Sequence, residues 1–161
     1  MSDLLSNVVI PVASEEVAGR TARIAREYLP EDAGVTVVHV VQDEEAFADA
    51  TEEEWEAFAS EAFERFQEAY GDEVETEMRY GTDVVNGIFE TAADVDASAI
   101  VFTPRGGSRW RQLMSGDVAR QLVSEGERPV LALPRKAVAD EGDEGDEGDE
   151  GDEGDEDADG E

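Results

Sequence analysis

Five short strand-like runs recur at intervals along the first 134 residues, and a stretch of helical periodicity follows each of the first four. They are 7–13 (NVVIPVA), 35–41 (VTVVHVV), 73–80 (EVETEMRY), 98–103 (SAIVFT) and 129–134 (PVLALP). Runs built mainly of valine and isoleucine suit strands covered on both faces, as in a parallel sheet. The third run alternates and carries charges, which fits an edge position. The order β-α-β-α-β-α-β-α-β calls for right-handed crossovers and a parallel sheet with helices on both faces. In such sheets ligands bind beyond the carboxyl ends of the strands, where the winding direction reverses.

The intervening segments carry their own signals. Ser14, Glu15 and Glu16 cap and charge the start of a helix. Its buried face is expected to hold Val17, Thr21, Ile24, Ala25, Tyr28 and Leu29. Thr51 and Glu54 have the spacing of a capping box. Behind them Trp55, Phe58, Ala59, Ala62, Phe63, Phe66 and Tyr70 form a stripe at spacings of three and four. We read the stripe as core, a partner surface being the alternative. Asp83 opens a third helix with Val84, Val85, Ile88, Phe89 and Ala92 inward, and 116–125 is the fourth.

Charge sets the next limits. The 161 residues carry 43 acids against 12 bases. From Asp140 onward there are 15 acids and no base, which leaves 43 − 15 = 28 acids against 12 bases, or −16, in the rest. Lys136 is the sole lysine. Acid on this scale with almost no lysine points to a very salty cytosol, where a Debye length of about 3 Å at 1 M salt makes self-repulsion tolerable. A duplex nucleic-acid partner is not expected, because phosphate affinity needs clustered Lys and Arg. Absence of cysteine excludes disulfides and thiolate chemistry. With an acid at Asp3 and no basic segment before the first apolar run, the start does not resemble a signal peptide, and no run approaches membrane-spanning length. A cytoplasmic location is expected. We divide the chain into a domain, 1–136, and a disordered acidic tail, 137–161, with EGD repeats.

The segment 100–134 carries the clearest motif: a β-rich run, a Gly/Arg loop, a helix opening at Gly116-Asp117-Val118, and a second β-rich run. A strand, a glycine loop and a helix N-terminus make a place where an anion or nucleotide can sit. Gly106 and Gly116 stand with nine residues between them. This resembles the universal stress protein family, whose signature is Gly, two residues, Gly, nine residues, Gly, then Ser or Thr. The resemblance extends over 7–134 through the His39-Val40 pair, the Tyr80-Gly81 step and Pro129-Val130-Leu131. It implies a flavodoxin-like (adenine nucleotide α-hydrolase-like) fold with five parallel strands in the order 3-2-1-4-5, usually dimeric. It also accounts for Pro11, which the family often carries there although proline cannot donate to a sheet ladder.

Family members divide into those that bind ATP and those that do not, and the resemblance supplies the site positions. Val40 matches the backbone contact in strand two, Gly106 and Gly116 the loop, and Val118 the position just inside the helix. Three positions depart. Ala13 stands where a strand-one aspartate holds the adenosine part, Thr103 replaces the first loop glycine, and Asp117 replaces the Ser or Thr. Pro104 restricts Thr103 to extended conformations and removes an N–H. An acid at 117 opposes a phosphate: one like-charge pair at 4 Å costs about 4 kcal/mol at an effective dielectric of 20, nearly a thousandfold in affinity. As a helix cap it would instead contribute about 1 kcal/mol. Against these losses, Arg105, Arg109 and Arg111 place three of the twelve bases within seven residues. They suit bidentate capture of a phosphate, pairing with Asp117 or surface carboxylates, or a subunit contact with Trp110.

The expectation is a stress-family regulatory or protective module that does not bind ATP in the usual way. The alternative is an adenine-nucleotide or anion sensor using the 103–118 loop and helix start, with ATP or AMP as ligand. No catalytic or metal-ligating residue is assigned. His39, the single histidine, reads as a hydrogen-bonded core imidazole, and neither a Walker A lysine nor GxGxxG is present. A homodimer through the fifth strand is expected, with a further regulatory protein partner left open.

Overall fold

A computed structural model of the chain describes residues 3–42, 51–71, 73–81, 83–103 and 116–134. The elements are β1 (Asn7–Pro11), α1 (Glu15–Tyr28), β2 (Gly34–Gln42), α2 (Glu52–Tyr70), β3 (Glu75–Gly81), α3 (Val84–Asp94), β4 (Ala99–Phe102), α4 (Gly116–Glu125) and β5 (Val130–Ala132). The strands form one sheet in the order β3-β2-β1-β4-β5, and every pairing is parallel. Both the α/β class and the strand order are as expected. The tail, 137–161, lies outside the described residues.

Strand alternation divides the core into two layers. Val8, Ile10, Val12, Val35, Val37, Ala99 and Val101 face α1 and α2, where Ile24, Ala25, Ala62 and Phe66 meet them. Val9, Val38, Ile100 and Phe102 face α3 and α4, against Val85, Ile88, Ala92 and Leu122. The winding direction reverses between β1 and β4, the chain running outward to β3 and then crossing back to β4 and β5, with α1 and α2 covering one face of the sheet and α3 and α4 the other.

Local signals behave as their chemistry requires. Ser14 caps α1, its hydroxyl accepting from Val17 N–H at 3.4 Å. In the capping box of α2, Thr51 Oγ1 accepts from Glu54 N–H at 3.2 Å, and Glu54 Oε2 accepts from Thr51 N–H at 2.7 Å. Asp83 caps α3 through Val85 N–H at 3.0 Å.

Several details differ from expectation. The first strand ends at Pro11, the fourth spans only 99–102 and the fifth 130–132. Pro11 is tolerated in the most central strand for a geometric reason. Val12 N–H donates to Val38 in β2, so ladder alternation turns position 11 toward β4, and β1 pairs with β4 only through Val8 and Val9. Tyr28 is 40% exposed because Leu29 already closes that end of the core. Phe58 is 39% exposed, and the buried part of the α2 stripe is Ala59, Ala62 and Phe66. Asp117 is the second residue of α4, inside its first turn and two places past the capping position.

Candidate functional site

The crevice at the chain reversal is built on the last full row of the sheet facing α1 and α2. Carrying the paired register onward sets Val12, one residue past β1, between His39 of β2 and Thr103, one residue past β4. All three are buried, at 5%, 5% and 9% exposure. Each polar member has a partner. The Val12 carbonyl accepts from His39 Nδ1 at 3.0 Å, which places the ring proton on that nitrogen. Thr103 Oγ1 lies 2.7 Å from Thr21 Oγ1 of α1. The hydroxyl of Thr103 is thus tied into the α1 layer.

One residue further along each strand, Ala13 comes level with Val40. Val38 uses its carbonyl toward β1, bonding Val12 N–H at 2.9 Å. Two residues on, Val40 turns its own N–H and C=O to the same side, at the level of Ala13. Its side chain points to the opposite layer, where Gly87 of α3 makes room: a Cβ at Gly87 would lie 2.8 Å and 2.9 Å from the two Val40 methyls. The backbone of Val40 is thereby offered to the crevice while its side chain is locked by a helix.

On the far side of the crevice α4 begins at Gly116, and Val118 packs, half-buried, on the α3–α4 layer. Of the expected site residues, Val40 lies near the end of β2, and Gly116 and Val118 lie in the first turn of α4. Arg105, Gly106, Arg109 and Arg111 lie outside the described residues. Ala13 is half-buried and offers no side-chain hydrogen bond. Sequence reasoning missed the Thr21–Thr103 contact, which joins residues 82 positions apart; the only hint was a threonine on the inner face of α1.

His39 has a depressed pKa, chiefly because burial penalises the charged ring, with the Val12 carbonyl opposing. Its Nε2 is buried with no hydrogen-bond partner. Phe58 of α2 packs against it, with ring centroids 5.6 Å apart, and Trp55 packs in turn on Phe58 at 5.9 Å. Elsewhere, a groove of about 550 Å³ between α1 and α2 is lined by Arg20, Arg23 and Arg65 together with Glu15, Glu16 and Glu68. Most of its charge is answered locally, by Arg20–Glu16 at 3.4 Å and Arg65–Glu68 at 3.7 Å.

A profile of the universal stress protein family matches residues 5–134. The chain belongs to this family. Solved structures agree with the fold. The universal stress protein from Archaeoglobus fulgidus is 26% identical, with a TM-score of 0.58, over 79% of this chain and 97% of that one. A second structure of the Archaeoglobus fulgidus universal stress protein, in complex with dAMP, is 24% identical with a TM-score of 0.57, covering 81% and 99%. A universal stress protein family member from Arabidopsis thaliana, with AMP bound, is 19% identical with a TM-score of 0.52, covering 84% and 94%. No curated protein sequence matches significantly. Among the described residues no helix is long and apolar enough to cross a membrane.

Proposed function

We propose that this universal stress protein is a non-catalytic regulatory module of a high-salt cytosol, and that it does not hold ATP in the way of the family's ATP binders. The observation that carries the reading is Ala13 at the tip of β1, level with the Val40 backbone: the position that would grip the adenosine part ends in a methyl group. Asp117 in the first turn of α4 adds an anion where phosphates would arrive. The single imidazole is engaged with Val12 and serves the fold. β5 is short and apolar and, among the described residues, pairs with β4 alone, which suits it to pair with a second copy of the chain. Calorimetric titration with ATP at about 2 M KCl, where surface charge is screened, tests the reading; it is expected to be silent. Saturable ATP binding would refute it.

A second reading, an adenine-monophosphate or anion sensor, is favoured by two observations. The Thr103 hydroxyl bonds Thr21 in the α1 layer, so the residue replacing the loop glycine does not turn it toward α4. Structural relatives are also solved with dAMP, cAMP and AMP. A ligand with one phosphate demands less of the loop than a triphosphate. AMP binding that is saturable and lost in Arg109→Ala would support this reading over the first.

A further inference from the structure

His39 ties the tip of β1 to β2 and is the sole histidine of the chain. With its proton on Nδ1 and a lone pair on Nε2, the ring is neutral. Protonation would place a second N–H, and a full charge, in a space covered by the Phe58 ring, with no acceptor among the described residues. Titratable groups on the same side of the sheet do not answer that charge. β3 presents Met78 and Tyr80, which pair with His39 and Val41. From α2, Glu52 and Glu56 act on Tyr80, and Glu54 is held by the Thr51 N–H. β1 offers only the Val12 carbonyl, already used. Arg79, with Glu77, Glu90 and Asp94, lies in the α3 layer across the sheet.

We infer that His39 is an acid-sensitive latch on the crevice: neutral, it fixes the tip of β1 beside the Val40 backbone, and when protonated its ring leaves the pocket and that setting is lost. The latch does not require a nucleotide, so it stands or falls apart from either functional reading. Its sign follows from burial. A histidine whose folded pKa lies below its unfolded value of about 6.5 stabilises fully above that pH, and the contribution is lost as pH falls below it toward the folded pKa.

The test uses the full chain at about 2 M KCl, titrated from about pH 7.5 to 5, a window in which few other groups change charge. In the native protein the backbone amide signals of Ala13 and Val40 should move with the same midpoint as the His39 ring, and the melting temperature should fall along with them. His39→Asn keeps a donor for Val12 but cannot titrate, so both readouts should stay flat. Equal acid sensitivity in His39→Asn would assign the effect to carboxylates and overturn the latch. So would amides of Ala13 and Val40 that ignore the ring in the native protein, a readout that holds even if the variant fails to fold.

Discussion

Thr103 shows how a β-branched residue just past a strand end is accommodated. Its hydroxyl reaches Thr21 at 2.7 Å with both groups buried. Thr21→Val leaves the Thr103 hydroxyl buried and unpaired, at a cost of about 1–2 kcal/mol. The double variant Thr21→Val/Thr103→Val should cost less than the sum of the two single changes, and urea unfolding of all four proteins measures this coupling. Asp96 illustrates a second residue-level constraint. It follows α3 with φ at 52°, a conformation that a residue with a Cβ adopts reluctantly. Asp96→Ala should lose about 1 kcal/mol, whereas Asp96→Gly should not, as thermal unfolding would show.

At the scale of elements, α3 does two jobs for the crevice. Gly87 lets the helix settle on Val40, and Arg79 of β3 reaches across to Glu90 and Asp94 of α3 while also holding Glu77. Alanine at 87 would gain about 1 kcal/mol of helix propensity. Its Cβ would nevertheless press on the stiff Val40 side chain at under 3 Å. Crowding of this kind costs about 1–3 kcal/mol, so Gly87→Ala should be net destabilising and should shift the Val40 amide resonance.

The elements themselves were legible in the sequence because burial on both faces writes itself as unbroken Val and Ile, and because Ser14, Thr51, Glu54 and Asp83 cap their helices through neighbours three residues away or fewer. Strand order was available only through the resemblance, since periodicity does not say which strands adjoin. Tyr28 and Phe58 misled for a related reason: helical spacing gives a face but not where the core beneath that face stops. That His39 would be a hydrogen-bonded core imidazole was legible, but its partner Val12, like the bond of Thr103 to Thr21, was not, because each depends on register between distant segments. Of the candidate site, Val40 and the start of α4 were named only through the resemblance, and what the tip of β1 rests on could not be read at all.

For the molecule as a whole, the balance of charge decides the conditions under which these contacts matter. With 43 acids and 12 bases, like charges outnumber every pairing available to them. Surface pairs such as Arg20–Glu16, both partners well exposed, contribute little individually. Stability should therefore rise with added KCl, and the melting temperature should drop markedly below about 0.1 M salt, where the Debye length exceeds about 10 Å. A melting curve series from about 0.05 to 3 M KCl checks this; equal stability at both ends would refute the halophilic reading.

The two borders of the sheet are unlike. β3 ends it with Glu75, Glu77 and Arg79, and its arginine is drawn back against α3, whereas β5 ends it with Val130, Leu131 and Ala132. A sheet that is inviting on one border and forbidding on the other has only one way to lengthen. If two copies join at β5, as proposed, both remaining borders are charged, which disfavours growth beyond a pair.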